Sequence, residues 1–200
     1  MSLFVRKKTR KARVFALFAC KVDEKTVKKN YIYNGRIINV RRDDAELPNG
    51  KPCIREVIEH PGGVCIAAIT DSDELLFVRQ FRYPYMEVIL ELPAGKLEKD
   101  EDPFESGKRE LEEETGCVAD EYRDLGKFYP SPGYCGEIIH LYAAKKLTFT
   151  HQHLDEDEFL NVEKIHIDKA VEMIINNEIR DGKTQAAVLK LKALKDKGLW

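Results

Sequence analysis

Nine carboxylates lie between Gly95 and Cys117, and three of them, Glu110, Glu113 and Glu114, stand at i, i+3 and i+4. On a helix that spacing gathers all three on one face. A run of charge is ordinarily a solvated surface and nothing more. Like charges so spaced, however, repel by about 0.2–0.5 kcal/mol per pair, and nothing on that stripe neutralises them. A bound cation would. Carboxylate oxygens are hard ligands that select Mg2+ or Mn2+, ions that keep several waters while binding nucleotide phosphates. The chemistry such a site suits is metal-assisted work on a phosphate group.

The elements that must hold these residues can be read from local signals. Asp102-Pro103 supplies an acidic N-cap and a proline at the first helical position, and Gly116 supplies the stop, so the helix spans Pro103 to Thr115. Leu111 then faces away from the glutamates, toward a sheet. Gly107, on the same inner side, costs about 1 kcal/mol of propensity against alanine, which suits a close helix–sheet contact. A short strand, Leu90 to Pro93, leads into Ala94-Gly95, where glycine lets the chain turn sharply out of the strand.

Further strands are expected at Ile54 to Glu59, Gly63 to Thr70, Glu74 to Phe81, Val118 to Tyr129, Glu137 to Lys145 and Val162 to Ile167. Two amphipathic helices follow, Asp168 to Asn177 and Thr184 to Lys197. Gly63 to Ile69 is almost continuously apolar, as a strand covered on both faces should be. Near the N-terminus, Asn34-Gly35 between Tyr31-Ile32-Tyr33 and Ile37 to Val40 is a hairpin signal. The expected architecture is α/β (α+β), one domain with a mixed sheet and a small antiparallel N-terminal element.

Composition narrows the function. Lys and Arg number 33 against 35 Asp and Glu, a net charge of −2. There is no basic excess to recruit a nucleic acid or an anionic membrane surface. No run reaches the ~20 apolar residues a membrane span needs. The five cysteines are scattered and never form C-x-x-C, against a disulfide framework or a zinc site and in keeping with a reducing cytoplasm. Cys53, Cys65 and Cys117 read as small buried hydrophobes. Arg6 to Arg13 followed by Val14 to Cys20 faintly imitates a signal peptide, but Lys21 follows with no small-residue cleavage site, so residues 1–20 are read as a basic tail without fixed structure.

The spacing Gly95, five residues, Glu101, seven residues, Arg109-Glu110-Leu111, one residue, Glu113-Glu114, one residue, Gly116 and an apolar residue resembles the signature of the Nudix hydrolases. Cys117 stands where that family usually has Ile, Leu or Val. The resemblance implies a Nudix-type α/β/α sandwich and Mg2+-dependent hydrolysis of a nucleoside diphosphate linked to another moiety. Glu110, Glu113, Glu114 and the Ala94 carbonyl would be metal ligands, and Arg109 would pair with Glu101 to fix the loop on the helix.

Outside the signature, Arg55-Glu56-Val57, Val78-Arg79-Gln80-Phe81-Arg82-Tyr83, Glu91-Leu92-Pro93-Ala94-Gly95 and Ser131-Pro132-Gly133 before Glu137 resemble the ADP-ribose pyrophosphatase (ADP-sugar) subgroup. Pro132, sixteen residues beyond Gly116, occupies the position that marks it. The resemblance divides the chain into 1–20, a tail; 21–52, an N-terminal β element for dimerisation and substrate contact; and 53–200, the hydrolase domain. It also implies a homodimer.

The run Asp155 to Phe159 resembles the subgroup's acidic loop, with Glu156 as general base and Glu158 as a further metal ligand, or the reverse. Glu114 and Arg109 complete the catalytic group. Arg55, Arg82, Glu91, Pro132, Glu137 and Tyr31 are candidates for substrate contact. Arg55 and Arg82 could equally be surface ion pairs, and Tyr31 with Tyr33 could simply pack the hairpin. The implied reaction converts ADP-ribose to AMP and ribose 5-phosphate. Another sugar nucleotide such as GDP-mannose, a non-catalytic ADP-ribose-binding module, and removal of an RNA 5′-end pyrophosphate are the rival readings.

Overall fold

The computed structural model describes residues 22–154 and 159–200. The expected tail at 1–20 and the acidic run from Asp155, with Glu156 and Glu158, lie outside the described residues. In chain order the elements are β1 (Lys25–Lys28), β2 (Tyr31–Asn34), β3 (Asn39–Glu46), β4 (Pro52–Glu59), β5 (Gly63–Ala68), β6 (Glu74–Arg82), a 3-10 turn at Tyr83–Tyr85, β7 (Glu87–Glu91), β8 (Ala94–Lys96), α1 (Pro103–Thr115), β9 (Cys117–Phe128), β10 (Ile139–Phe149), β11 (Leu160–His166), α2 (Ile167–Ile175) and α3 (Gly182–Asp196).

The apolar run from Gly63 becomes β5, buried along its whole length. It is the hub of a mixed sheet of order β8-β5-β10-β9, in which β5 and β10 run parallel and the other pairs antiparallel. Because side chains alternate along a strand, β5 feeds two cores. Cys65, Ala67 and Ile69 pack with Ala170 of α2 and with Ala187, Val188 and Leu191 of α3; Val64, Ile66 and Ala68 pack with Leu111 of α1. Helices therefore cover both faces, which is the expected sandwich. A second sheet, β11-β6-β7, joins the first at the Ile69–Leu75 bridge. In the N-terminal sheet β3 is central. It pairs with β4 on one side and with β2 and β1 on the other.

Helix α1 begins and ends on the residues that signal it. The Asp102 carboxylate accepts the backbone N–H groups of Phe104 and Glu105, at 2.9 and 3.2 Å, and Gly116 takes the left-handed conformation at φ +61° that closes the helix. A Cβ on Gly107 would lie 3.3 Å from the Tyr142 ring and 3.6 Å from Ile66, so its absence lets α1 settle close to the sheet.

Two local details differ from expectation. The β2–β3 loop is Gly35 to Ile38, closed by Gly35 N donating to Ile38 O at 2.9 Å, with Asn34 already paired to Asn39. Neither Asn34 nor Gly35 takes the positive φ a two-residue Asn-Gly turn requires. Gly35 instead makes room for the Tyr33 ring, which a Cβ would approach to 2.6 Å. The strand expected at Leu90 to Pro93 is hydrogen-bonded over Glu87–Glu91, after which Leu92-Pro93 carries the chain across to the mixed sheet as β8. Pro93 has no N–H to give a ladder, so the crossing falls where pairing is already interrupted.

Candidate active site

The face of α1 that carries the glutamates lies over β8. Glu114, 1% exposed, accepts the Ala94 N–H on Oε2 at 3.0 Å. Glu110, also buried, lays its carboxylate against Gly95 so closely that a Cβ there would fall 1.9 Å from both Cδ and Oε1. The sharp turn expected at Gly95 is absent, since Gly95 continues β8 opposite Val64 and has no positive φ. What glycine supplies is space for a carboxylate.

Arg109 is held by its neighbours on three sides. Nε and Nη2 donate to the two oxygens of Glu101 at 3.0 and 3.3 Å, Nη1 to Glu113 at 2.7 Å, and Nη2 lies 3.0 Å from Glu110. The hydrogen bond from Arg109 holds the Glu101 carboxyl below its ordinary range, and the Glu101 bond chiefly raises Arg109. Glu101 also accepts the Glu98 N–H at 2.9 Å, so the clamp fixes the loop before α1 to the helix. One guanidinium thus faces three carboxylates, Glu101, Glu110 and Glu113, and the excess is negative.

That donor set suits a hard divalent cation. Among the described residues no three acidic, histidine or cysteine side chains form a ligand cage by themselves. An ion that keeps waters and shares its shell with substrate phosphates needs only one or two protein carboxylates.

Beside the glutamates, Arg82 Nε donates to Glu91 Oε1 at 2.6 Å, and Lys183 Nζ donates to Glu91 Oε2 and lies 3.1 Å from Asp181. Burial acts most strongly on Arg82 and lowers it, but the hydrogen bond and charge of Glu91, together with the Glu114 and Asp181 charges, more than offset this, and the net direction is upward. Lys183 and Asp181 are neighbours of Glu91 that the sequence did not announce. The one available signal was the placement of a lysine in the first turn of a helix, where the dipole favours acids.

The remaining candidates stand elsewhere. Arg55 on β4 is spent on Glu24, with Nε at 2.7 Å and Nη2 at 2.5 Å, so its described contact is a surface ion pair. Tyr31 is half exposed and donates its hydroxyl to Glu59 at 3.3 Å, with the Arg41 guanidinium 5.8 Å from its ring centroid. Pro132 is exposed in the turn closed by Cys135 N on Ser131 O at 3.0 Å, which β4 ties down where Ile58 N donates to Tyr134 O at 2.8 Å. Glu137 lies 3.5 Å from His60 Nδ1, and that nitrogen accepts the Gly62 N–H at 3.1 Å.

The segment after β10 docks on the end of α1. Thr150 N donates to Gly116 O at 2.6 Å, Gln152 Nε2 to Glu114 O at 2.6 Å and His153 N to Glu113 O at 3.0 Å. Carbonyls that a helix end leaves without partners are thereby satisfied. Cys65 and Cys117 are buried; burial raises both thiols, Cys117 to about 11, and neither is a nucleophile.

The fold and the site define a hydrolase-type scaffold with a carboxylate-rich helix laid over a strand end. The NUDIX domain family matches residues 59–187, and the nucleoside diphosphate sugar hydrolase N-terminal domain matches residues 24–58. The chain belongs to the Nudix family. It is 42% identical, over 84% of its length and 91% of the relative's, to the ADP-ribose pyrophosphatase of Bacillus subtilis (strain 168). It is 45% identical to the methanol dehydrogenase activator of Bacillus methanolicus, over 88% of this chain and 97% of the relative. A solved structure of an ADP compounds hydrolase has the same fold, with TM-score 0.77 at 22% identity, covering 88% of this chain and 97% of that one.

Proposed function

We propose that this protein hydrolyses the pyrophosphate bond of a nucleotide sugar, ADP-ribose before others, releasing AMP and ribose 5-phosphate. The observation that carries this reading is the pair of buried carboxylates, Glu110 and Glu114, seated on Ala94-Gly95 with the Arg82 fork beside them. The 42% identity to an ADP-ribose pyrophosphatase supports the substrate. Glu110, Glu113, Glu114 and the Ala94 carbonyl would hold Mg2+, with Glu158. The ion would supply charge neutralisation at the pyrophosphate and a more acidic bound water. Arg82 binds phosphate oxygens through its terminal amino groups. Arg109 and Glu101 keep the ligand helix and its loop in one piece. Glu156 takes the proton of the attacking water, whose oxygen forms the new bond to phosphorus as the bridging P–O bond breaks.

The test is turnover of ADP-ribose, GDP-mannose, diadenosine polyphosphates and capped RNA, with Mg2+ and separately with chelator. ADP-ribose is expected to lead GDP-mannose by about 10-fold or more in kcat/KM, the discrimination of roughly one net hydrogen bond of about 1.4 kcal/mol, and chelator should stop the reaction. A lead for GDP-mannose would move the substrate to another sugar nucleotide. Binding of ADP-ribose without turnover of any compound would make the chain a binding module. The 45% identity to a dehydrogenase activator favours a second reading, in which the same hydrolysis stimulates a methanol dehydrogenase; adding the chain to that enzyme's assay decides it.

The N-terminal sheet leaves Val27, Ile32, Tyr33, Ile37 and Ile54 exposed, apolar side chains that a partner subunit would cover. That supports a homodimer, in which Tyr31 could stack on adenine across the interface. Sedimentation equilibrium should give twice the chain mass; a monomer would remove the cross-subunit contact. The four cysteines among the described residues are unpaired thiols, which supports a reducing cytoplasmic setting.

A further inference from the structure

Lys183 occupies a position that local rules disfavour. It is the second residue of α3, where the helix dipole opposes a cation, and only 12% of its side chain is exposed. Burial pulls the ammonium toward its neutral form, yet Glu91 and Asp181 more than reverse this and the net shift is upward. Docking of α3 does not need it, because Thr184 Oγ1 already accepts the Leu92 N–H at 2.9 Å in a buried bond. The reason for the lysine must therefore lie in Glu91.

Glu91 is 1% exposed and divides its oxygens, Oε1 to Arg82 Nε and Oε2 to Lys183. Among the described residues neither terminal amino group of Arg82 donates to protein. A guanidinium beside a carboxylate with both oxygens open closes on it in a two-point pair. Here the second oxygen is occupied.

We propose that Lys183 is a positioning residue for Arg82: by occupying one oxygen of Glu91 it restricts Arg82 to a single bond through Nε and leaves both terminal amino groups free for the phosphates of a nucleoside diphosphate sugar. This inference rests on the hydrolase reading above. It also explains why a buried site holds two cations and two carboxylates where one ion pair would have balanced the charge.

Lys183→Met should raise KM for ADP-ribose by about 10-fold or more while changing kcat less than ~3-fold, the pattern of a lost contact made equally in ground and transition states. Its crystal structure should show the Arg82 fork turned onto both oxygens of Glu91. Lys183→Arg keeps a cation on Glu91 Oε2 and should bring KM back below that of Lys183→Met by ~3-fold or more, whereas a lysine needed only for the fold would leave the two variants alike in KM. Should Lys183→Met fail to fold, Lys183→Leu, which likewise has no donor for Glu91 Oε2, carries the same measurements. An unchanged KM, or an Arg82 still bonded to Glu91 through Nε alone in the variant, overturns the proposal. If the wild type turns over no nucleotide sugar, the hydrolase reading falls by itself, and the variant's crystal structure still decides what Lys183 does.

Discussion

Gly95→Ala should lower kcat/KM by about 100-fold or more, the scale of a misplaced catalytic group, while moving the melting temperature by no more than a few degrees. The added Cβ would lie 1.9 Å from the Glu110 carboxyl carbon and from one of its oxygens, far inside contact distance. What must give way is the end of a flexible side chain, and β8 has ordinary extended backbone at this point. The strand can accept alanine; the carboxylate cannot stay where it is. At roughly 2–4 °C per kcal/mol for a chain of this size, a rotated Glu110 costs little in stability. Parallel thermal melts and turnover assays separate the two effects. An alanine variant retaining more than a tenth of wild-type turnover would mean that Glu110 is not needed in its observed place.

Glu114→Gln should cost about 100- to 1,000-fold in kcat, as removal of a single preorganised electrostatic group commonly does, and should not be rescued by excess Mg2+. The substitution keeps the shape of a fully buried side chain, and the amide oxygen can still accept the Ala94 N–H that Glu114 Oε2 accepts at 3.0 Å. Structure is thus held nearly constant while a negative charge is removed. Full activity with an unchanged Mg2+ titration would reduce Glu114 to a clamp on β8.

How much of this could be read in advance depends on distance along the chain. Helix α1 could be read because its start, its stop and its inward face are local signals: Asp102, Gly116 and Leu111 each act within a turn or two of themselves. Arg109 and Glu101, eight positions apart, were reached through a familiar spacing. Lys183 could not be reached so. It meets Glu91 across 92 positions, and no periodicity records such a meeting. Arg55 has the same difficulty: of its two readings, substrate contact or surface ion pair, the pair is seen, with Glu24, a partner 31 positions away. Gly95 was recognised for the wrong reason, because a sequence shows that a side chain is missing but not what fills the space. The hairpin signalled by Asn34-Gly35 does form, between β2 and β3, but its loop runs from Gly35 to Ile38, with the Tyr33 ring claiming the room at Gly35.

The stretch from Glu91 to Gly95 has a consequence for how the protein can vary in length. Glu91 is pinned by Arg82 and Lys183, the Leu92 N–H by Thr184, the Ala94 N–H by Glu114, and Gly95 by the carboxylate laid against it. Successive residues are fixed to β6, α3 and α1 in turn, so the segment acts as a ruler with a mark at nearly every residue. Loops such as Leu47 to Gly50 or Tyr83 to Met86 can gain or lose residues at the cost of a turn. One residue added between Glu91 and Gly95 would put every mark beyond it out of step, parting Arg82 from the glutamate helix even though each kept its own fold.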